Sequence, residues 1–255
     1  MVKVGVLGSG RLAGIIAHAL ADGAVPKCEL VGILGRTYEH TAALADTCNC
    51  TACATLEELL ELKPEYILEA ATAEALKSWA IPILCASCNV ICLSVGALID
   101  DVFRHNIETA AEKHRSKLYV APGVIGGLDF ASAACLAGSA TACLSKYHYG
   151  SVNGRTSIFP EHFDGTCREA YAACPRHLNI AVTAGLACGG VDQTKMKIET
   201  IPENQFFGTK LEIDGDFGHA VVEWHMTEKV TKTGAALAAW SALSTLQRAT
   251  SPIFI

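Results

Sequence analysis

The 255-residue chain predicts an α/β protein in two parts: a doubly wound parallel sheet, then a second α+β domain with a mixed or antiparallel sheet. Three observations predict this. The chain opens on a strand, a glycine-rich turn and a helix; strands and helices then alternate through residue 120; beyond residues 121–129 the texture shifts to partly alternating strands. The expected domains are residues 1–121 with 232–255, and residues 122–231 between them.

In the opening stretch, Val2, Val4, Val6 and Leu7 have the β-branched, apolar composition of a buried parallel strand. The strand runs into Gly8-Ser9-Gly10-Arg11-Leu12-Ala13, a G-x-G-x-x-A fingerprint, and then into apolar residues at helical spacing. Gly8 permits the tight turn, Gly10 lets backbone amides approach a pyrophosphate, and Ala13 lets the helix lie close on the strand. Phosphates then sit at a helix N-terminus, where N–H groups and the helix dipole favour an anion. Gly8, Gly10, Arg11 and Leu12 are therefore candidate dinucleotide contacts.

The second strand, CELVGIL at 28–34, ends at Gly35-Arg36-Thr37. An acid at that tip would bind the 2′-hydroxyl of NAD. None stands there, whereas Arg36 and Thr37 suit a 2′-phosphate, so NADP is preferred over NAD. Helices are expected at 41–46 and 55–62, a strand at 66–71, a helix at 73–86, a strand at 89–93, a loop at 94–98, a helix at 100–114 and a strand at 117–120. The strand ends Ala71-Thr72 and Ser94-Val95 line the ligand crevice in such a sheet, adding Ala71 and Thr72 to the cofactor set. Residues 121–129 (APGVIGGLD) cross between domains. In the second domain, strands are expected at 144–152, 194–200, 210–213 and 219–227, and helices at 166–173 and 178–188. A last helix at 234–248 carries an apolar stripe of Leu237, Trp240, Leu243 and Leu246 and is expected to return to the first domain.

Composition excludes several classes. The net charge of −6 is spread thinly with no basic stripe, which argues against nucleic acid. No apolar run reaches the ~18 residues of a membrane span, and no basic segment with a cleavage site opens the chain, so a cytoplasmic protein is expected. The twelve cysteines include Cys48, Cys50 and Cys53 in a C-x-C-x-x-C cluster and Cys85 with Cys88. They read as reduced thiols acting as small hydrophobes, and no metal is expected.

Longer motifs extend the reading: EAATAEAL at 69–76, LSVGAL at 93–98, GVIGGLDF at 123–130, FDGTCREAYAACP at 163–175, LNIAV at 178–182 and LEIDGDFG at 211–218. With GSGRLAG at 8–14, they make the chain similar to the L-aspartate dehydrogenase family over nearly its whole length. The resemblance implies a Rossmann domain, an α+β catalytic domain carrying homodimer contacts, and NAD(P)-linked interconversion of an amino acid and its imine. The family's cofactor contacts fall on Val124, where alanine is usual, and on Asn179, whose amide suits the nicotinamide carboxamide or ribose. The family's catalytic histidine falls on Thr209, and a threonine hydroxyl does not titrate in the useful range. The motif before Asn179 also departs, reading Cys174-Pro175-Arg176-His177.

His177, expected on the first turn of the helix bearing Asn179, is the candidate to supply the missing imidazole. Lys210 is the candidate for a substrate carboxylate. The expected activity is hydride transfer between NADP(H) or NAD(H) and a small, aspartate-like substrate. The alternatives are an imine or carbonyl reductase with another substrate, and an inactive nucleotide-binding regulator.

Overall fold

The computed structural model describes residues 1–152, 155–175, 177–202, 205, 207–226 and 234–253. The chain divides into two compact units, residues 1–123 with 235–255, and residues 124–234. The expected domain boundary at 231/232, the end of the last expected strand at Thr227, and Arg176 lie outside the described residues.

In the first unit six strands form one parallel sheet: β1 (Val2–Leu7), β2 (Cys28–Leu34), β3 (Thr51–Cys53), β4 (Tyr66–Glu69), β5 (Asn89–Cys92) and β6 (Leu118–Val120). Their order is β3-β2-β1-β4-β5-β6, so the direction of winding reverses beside β1, between β1 and β4. That switch point is where open α/β sheets bind ligands, at the carboxyl ends of the strands. The connections are α1 (Arg11–Ala21), α2 (Tyr38–Thr47), α3 (Leu56–Glu61), α4 (Ala73–Cys85) and α5 (Asp101–His114). The strand β3 escapes the sequence reading because Thr51-Ala52-Cys53 lacks the bulky apolar run that marks the other strands. Residues 94–98, expected as a loop, coil into a 3₁₀ turn over Val95–Ile99.

The first unit's core joins Val4, Val6, Ile16, Ala17, Leu20 and Ile33 to Ala239, Ala242, Leu243 and Leu246 of the final helix, α9 (Gly234–Thr250). The buried stripe of α9 is shifted from the expected one, for Leu237 and Trp240 are exposed. Small Ala239 and Ala242 meet the core instead, at the i, i+3, i+4, i+7 spacing that one helix face presents.

The second unit carries a mixed five-stranded sheet in the order β10-β11-β7-β12-β13. Its strands are β7 (Thr141–Tyr149), β10 (His162–Thr166), β11 (Lys195–Ile201), β12 (Phe207–Gly215) and β13 (Gly218–Met226), and a two-stranded ribbon pairs β8 (Ser151–Val152) with β9 (Arg155–Thr156). Only β11 and β7 run parallel. Helices α6 (Leu128–Leu136), α7 (Cys167–Ala173) and α8 (Asn179–Ala187) complete the unit. One face of the sheet is apolar, with Leu144, Met196, Ile198, Leu211 and Ile213 buried.

Candidate active site

The fingerprint turn is shaped by two glycines with different jobs. Gly8 has φ +129°, and a Cβ there would lie 2.6 Å from the Ala70 carbonyl oxygen, so only glycine fits. Its N–H donates to the Leu34 carbonyl at 2.7 Å, tying the turn to β2. Gly10 takes the N-cap of α1 without a side-chain cap, and a Cβ built on it meets nothing within 4 Å. Space therefore stands open over the first-turn amides of α1, where Arg11 is exposed and Leu12 half-buried. That turn holds no acidic residue. The pairing of donors with room is what a pyrophosphate needs, and a dinucleotide fits here. Ala13 is fully buried.

At the end of β2, Gly35 lets the chain approach Ser9, since a Cβ there would come within 2.8 Å of the Ser9 Cβ. Arg36 is exposed and Thr37 half-buried. Thr37 is the N-cap residue of α2, yet its side chain makes no capping hydrogen bond; its carbonyl accepts from Thr41 Oγ1 at 3.0 Å.

At the ends of β4 and β5 the structure reveals a group that sequence reasoning passed over. Glu69 is fully buried. Its Oε1 accepts from the Ala71 N–H at 2.8 Å and the Ser94 hydroxyl at 2.6 Å, and its Oε2 from the Ser94 N–H at 2.9 Å. Burial pushes the carboxyl up, and the donors from Ser94, Ala71 and Leu93 oppose that rise. One side chain thus clasps both strand-end segments. Ala71 and Thr72 are exposed beside it, and Thr72 caps α4 by accepting the Ala75 N–H at 3.1 Å. The visible signal was an acid closing an otherwise apolar strand, YILE.

In the second unit Val124 and Asn179 are both half-buried. Asn179 is the first residue of α8, with Leu178 at the N-cap. His177 does not lie on the first helical turn as expected. It sits exposed in the turn before α8, its N–H donating to the Cys174 carbonyl at 3.3 Å. Pro175 favours a turn over helix at this point, so α8 starts two residues later. Thr209 is buried on β12, cross-strand from Lys146 on β7 and Trp224 on β13. Lys210 faces the other side of the sheet, where its ammonium lies 3.0 Å from Glu212 and is held above its ordinary range by that carboxylate.

Other polar features have local explanations. His219 lies 2.7 Å from Asp214 and His225 3.2 Å from Glu223 on the outer hairpin. Burial pushes the thiols of Cys50 and Cys53 up to about 12 and about 11, which keeps them protonated and unreactive. Among the described residues no three His, Cys, Asp or Glu side chains are grouped to hold a metal. A cavity of about 680 Å³ among Lys3, Glu29, Asp46, Thr51 and Glu61 lies at the amino ends of β1–β3, opposite the fingerprint.

Comparison with known proteins agrees with this geometry. The model described as the NAD binding domain of homoserine dehydrogenase matches residues 8–121, and that of the C-terminal domain of aspartate dehydrogenase matches residues 134–249. The L-aspartate dehydrogenases of Methanocella arvoryzae and Methanosarcina mazei are 32% and 30% identical, each aligned over 100% of this chain and 99% of their own. The chain belongs to the L-aspartate dehydrogenase family. Its fold is also that of the crystallised aspartate dehydrogenase of Thermotoga maritima, with a TM-score of 0.76, 20% identity, and 100% and 99% of the two chains covered. A myo-inositol dehydrogenase from Corynebacterium glutamicum shares the architecture more loosely, with a TM-score of 0.57 at 14% identity over 97% of this chain and 89% of that one. Membership makes the chain an NAD(P)-dependent oxidoreductase acting on an amino acid or its imine. Among the described residues no helix is long and apolar enough to cross a membrane.

Proposed function

We propose that the protein interconverts an aspartate-like amino acid and its imine or oxo acid, with NADP(H) preferred. The observation that carries the cofactor half is the open space over Gly10 at the uncapped head of α1. In this reading Gly8, Gly10, Arg11 and Leu12 form the pyrophosphate turn, Ala71 and Thr72 lie at the strand ends that line the same crevice, and Val124 and Asn179 are the positions in the second unit that the family uses for cofactor contacts. When bound, the nicotinamide supplies or accepts the hydride, while the protein orients, screens and moves protons.

Arg36 and Thr37 support the NADP preference: the guanidinium is exposed, and the Thr37 hydroxyl is not spent on a helix cap. A charge-assisted phosphate contact contributes ~1.5–3 kcal/mol, about ten- to hundred-fold in affinity. Arg36→Ala should weaken NADPH binding by that factor and leave NADH nearly unchanged, read by fluorescence titration. Equal affinity for both cofactors in the wild type would remove the preference.

The substrate assignment rests on the full-length likeness to L-aspartate dehydrogenases. It is tested by following NADPH oxidation with ammonia against a panel of oxo acids, oxaloacetate first. Turnover on another oxo acid alone would redirect the substrate and keep the reaction class. Tight nucleotide binding without turnover on any of them would favour the regulator reading, to which the non-titrating Thr209 lends weight. For acid–base duty His177 draws support from lying two residues before Asn179, against which stands its exposure. The proposal of Lys210 for a substrate carboxylate is opposed by its place on the sheet face opposite Thr209 and by its pairing with Glu212. A homodimer joined through the second unit is supported by edge strand β13, which carries the exposed Val221; light scattering at micromolar concentration tests it.

A further inference from the structure

The position left to Thr209 has a neighbour that changes its chemistry. Thr209 and Lys146 are directly opposed on the antiparallel pair β12 and β7, so their side chains leave the sheet on one face. The same face carries Leu144 and Leu211, both buried. The Lys146 ammonium stands 4.6 Å from the centre of the Phe159 ring. Residues 157–160 strap this corner. His148, next along the face, lies 3.0 Å from the Pro160 carbonyl through Nε2 and 3.0 Å from Ser157 Oγ through Nδ1. The Cys174 thiol donates to the Ile158 carbonyl at 3.0 Å, fastening the strap to the turn that leads through His177 to Asn179. A cation, the vacated histidine position and the Asn179 turn therefore share one neighbourhood within the second unit.

We propose that Lys146 is the catalytic proton-transfer group of this enzyme, exchanging a proton between its Nζ and the substrate nitrogen in place of the family's histidine. The proposal rests on the dehydrogenase reading above. In the oxidative direction a neutral Lys146 accepts one proton from the substrate ammonium: an N–H bond breaks on the substrate, one forms on Nζ, and no electrons change hands. In reduction the same proton returns to the product nitrogen. A surface lysine would be charged at neutral pH and a poor base, but burial pulls Lys146 down to about 8.

The surroundings preserve that balance. Burial is the single cause of the shift, and among the described residues no carboxylate offsets it. On the sheet face the neighbours are His148, Ile198 and Thr209, while Lys197, Glu199, Lys210 and Glu212 alternate to the other face. Helix α8 has no charged side chain; α7 brings Cys167, Arg168 paired with Asp192, Glu169 bound to Thr166, and Tyr171; α6 brings Asp129, which is exposed.

The test compares wild type with Lys146→Met and Lys146→Arg. Wild-type kcat for NADP-linked aspartate oxidation should rise with pH through an apparent pKa near 8 and then level. Both variants should lose ~10²–10⁴-fold in kcat and lose that limb. NADPH binding by fluorescence should be unchanged. Lys146→Met should melt close to wild type at pH 7, since it removes a half-buried ammonium and keeps an apolar side chain against Phe159. Turnover retained in Lys146→Met, or a limb near 8 that survives in it, overturns the proposal. A wild type inactive on every amino and oxo acid overturns the dehydrogenase reading instead. In that event NMR titration of lysine-labelled protein decides on Lys146 separately. A resonance assigned by Lys146→Met that titrates near 8 and moves on adding oxaloacetate with NADPH supports proton exchange at this site; titration near 10, or no response, overturns it.

Discussion

At the scale of single residues, backbone requirements and buried charge set the sharpest expectations. Gly8 combines a left-handed φ of +129° with a carbonyl 2.6 Å from any Cβ, so Gly8→Ala must move β1 away from β4. It should lower the melting temperature and abolish measurable dinucleotide binding; a variant that binds NADPH like wild type would show the turn to be incidental. Glu69→Gln tests the clasp between the strand ends. The amide replaces one acceptor by a donor against Ala71, Ser94 and Leu93, leaving buried donors opposed. The expected loss is ~1–3 kcal/mol, about 2–4 °C in Tm for each kcal/mol. The sign with pH follows from the raised carboxyl: the folded state holds this proton more tightly than the unfolded chain, so Glu69's own contribution to stability falls as pH rises above the ordinary carboxylate range. The wild-type advantage over the glutamine variant should therefore narrow toward high pH. The fingerprint glycines were legible because the motif is local in sequence. Glu69 and Lys146 were legible only in part: an acid at a buried strand end and a lysine in step with Leu144 are visible, but their partners come from distant segments.

At the scale of elements, most segments of the first unit lie near their expected bounds, whereas in the second unit β7 and β12, expected at 144–152 and 210–213, lie at Thr141–Tyr149 and Phe207–Gly215, and α6 and β10 are not expected at all. The helices at 73–85 and 101–114 and the parallel strands declare themselves by length and apolar content. Helix α6, with a leading glycine and no capping side chain, reads as a continuation of the crossing loop, and β10 holds too few apolar residues for an alternation. By contrast α7 has a reciprocal capping box, Thr166 with Glu169. Both first-turn amides depend on it, so Thr166→Ala should cost ~0.5–2 kcal/mol. Because α7 packs against α8, which begins at Asn179, the variant should also loosen hydrogen-exchange protection at the head of α8. Unchanged protection there would detach the cap from the candidate site.

At the scale of the whole molecule, the strand order explains why the ends of the chain meet in one core. The opening strand occupies the middle of its sheet beside the switch point, so its core must be closed by something beyond the sheet's own sequential helices. Helix α9 does this, burying Ala239, Ala242, Leu243 and Leu246 among residues of β1, α1 and β2. The two leucines alone contribute ~1.5–3 kcal/mol each by burial, a large share of the ~5–15 kcal/mol that holds a typical domain. Deleting residues 235–255 should therefore unfold the dinucleotide-binding unit at room temperature and eliminate NADPH binding. Leu246→Ala is the gentler form of the same experiment: a cavity in the fully buried site should cost ~2–5 kcal/mol while the fingerprint turn stays intact. NADPH affinity in the folded fraction should then match wild type, and saturating NADPH should raise the variant's melting temperature, because a ligand that binds only the folded state stabilises by mass action. If the truncated chain melts and binds nucleotide like the full one, α9 is no part of the first unit's stability.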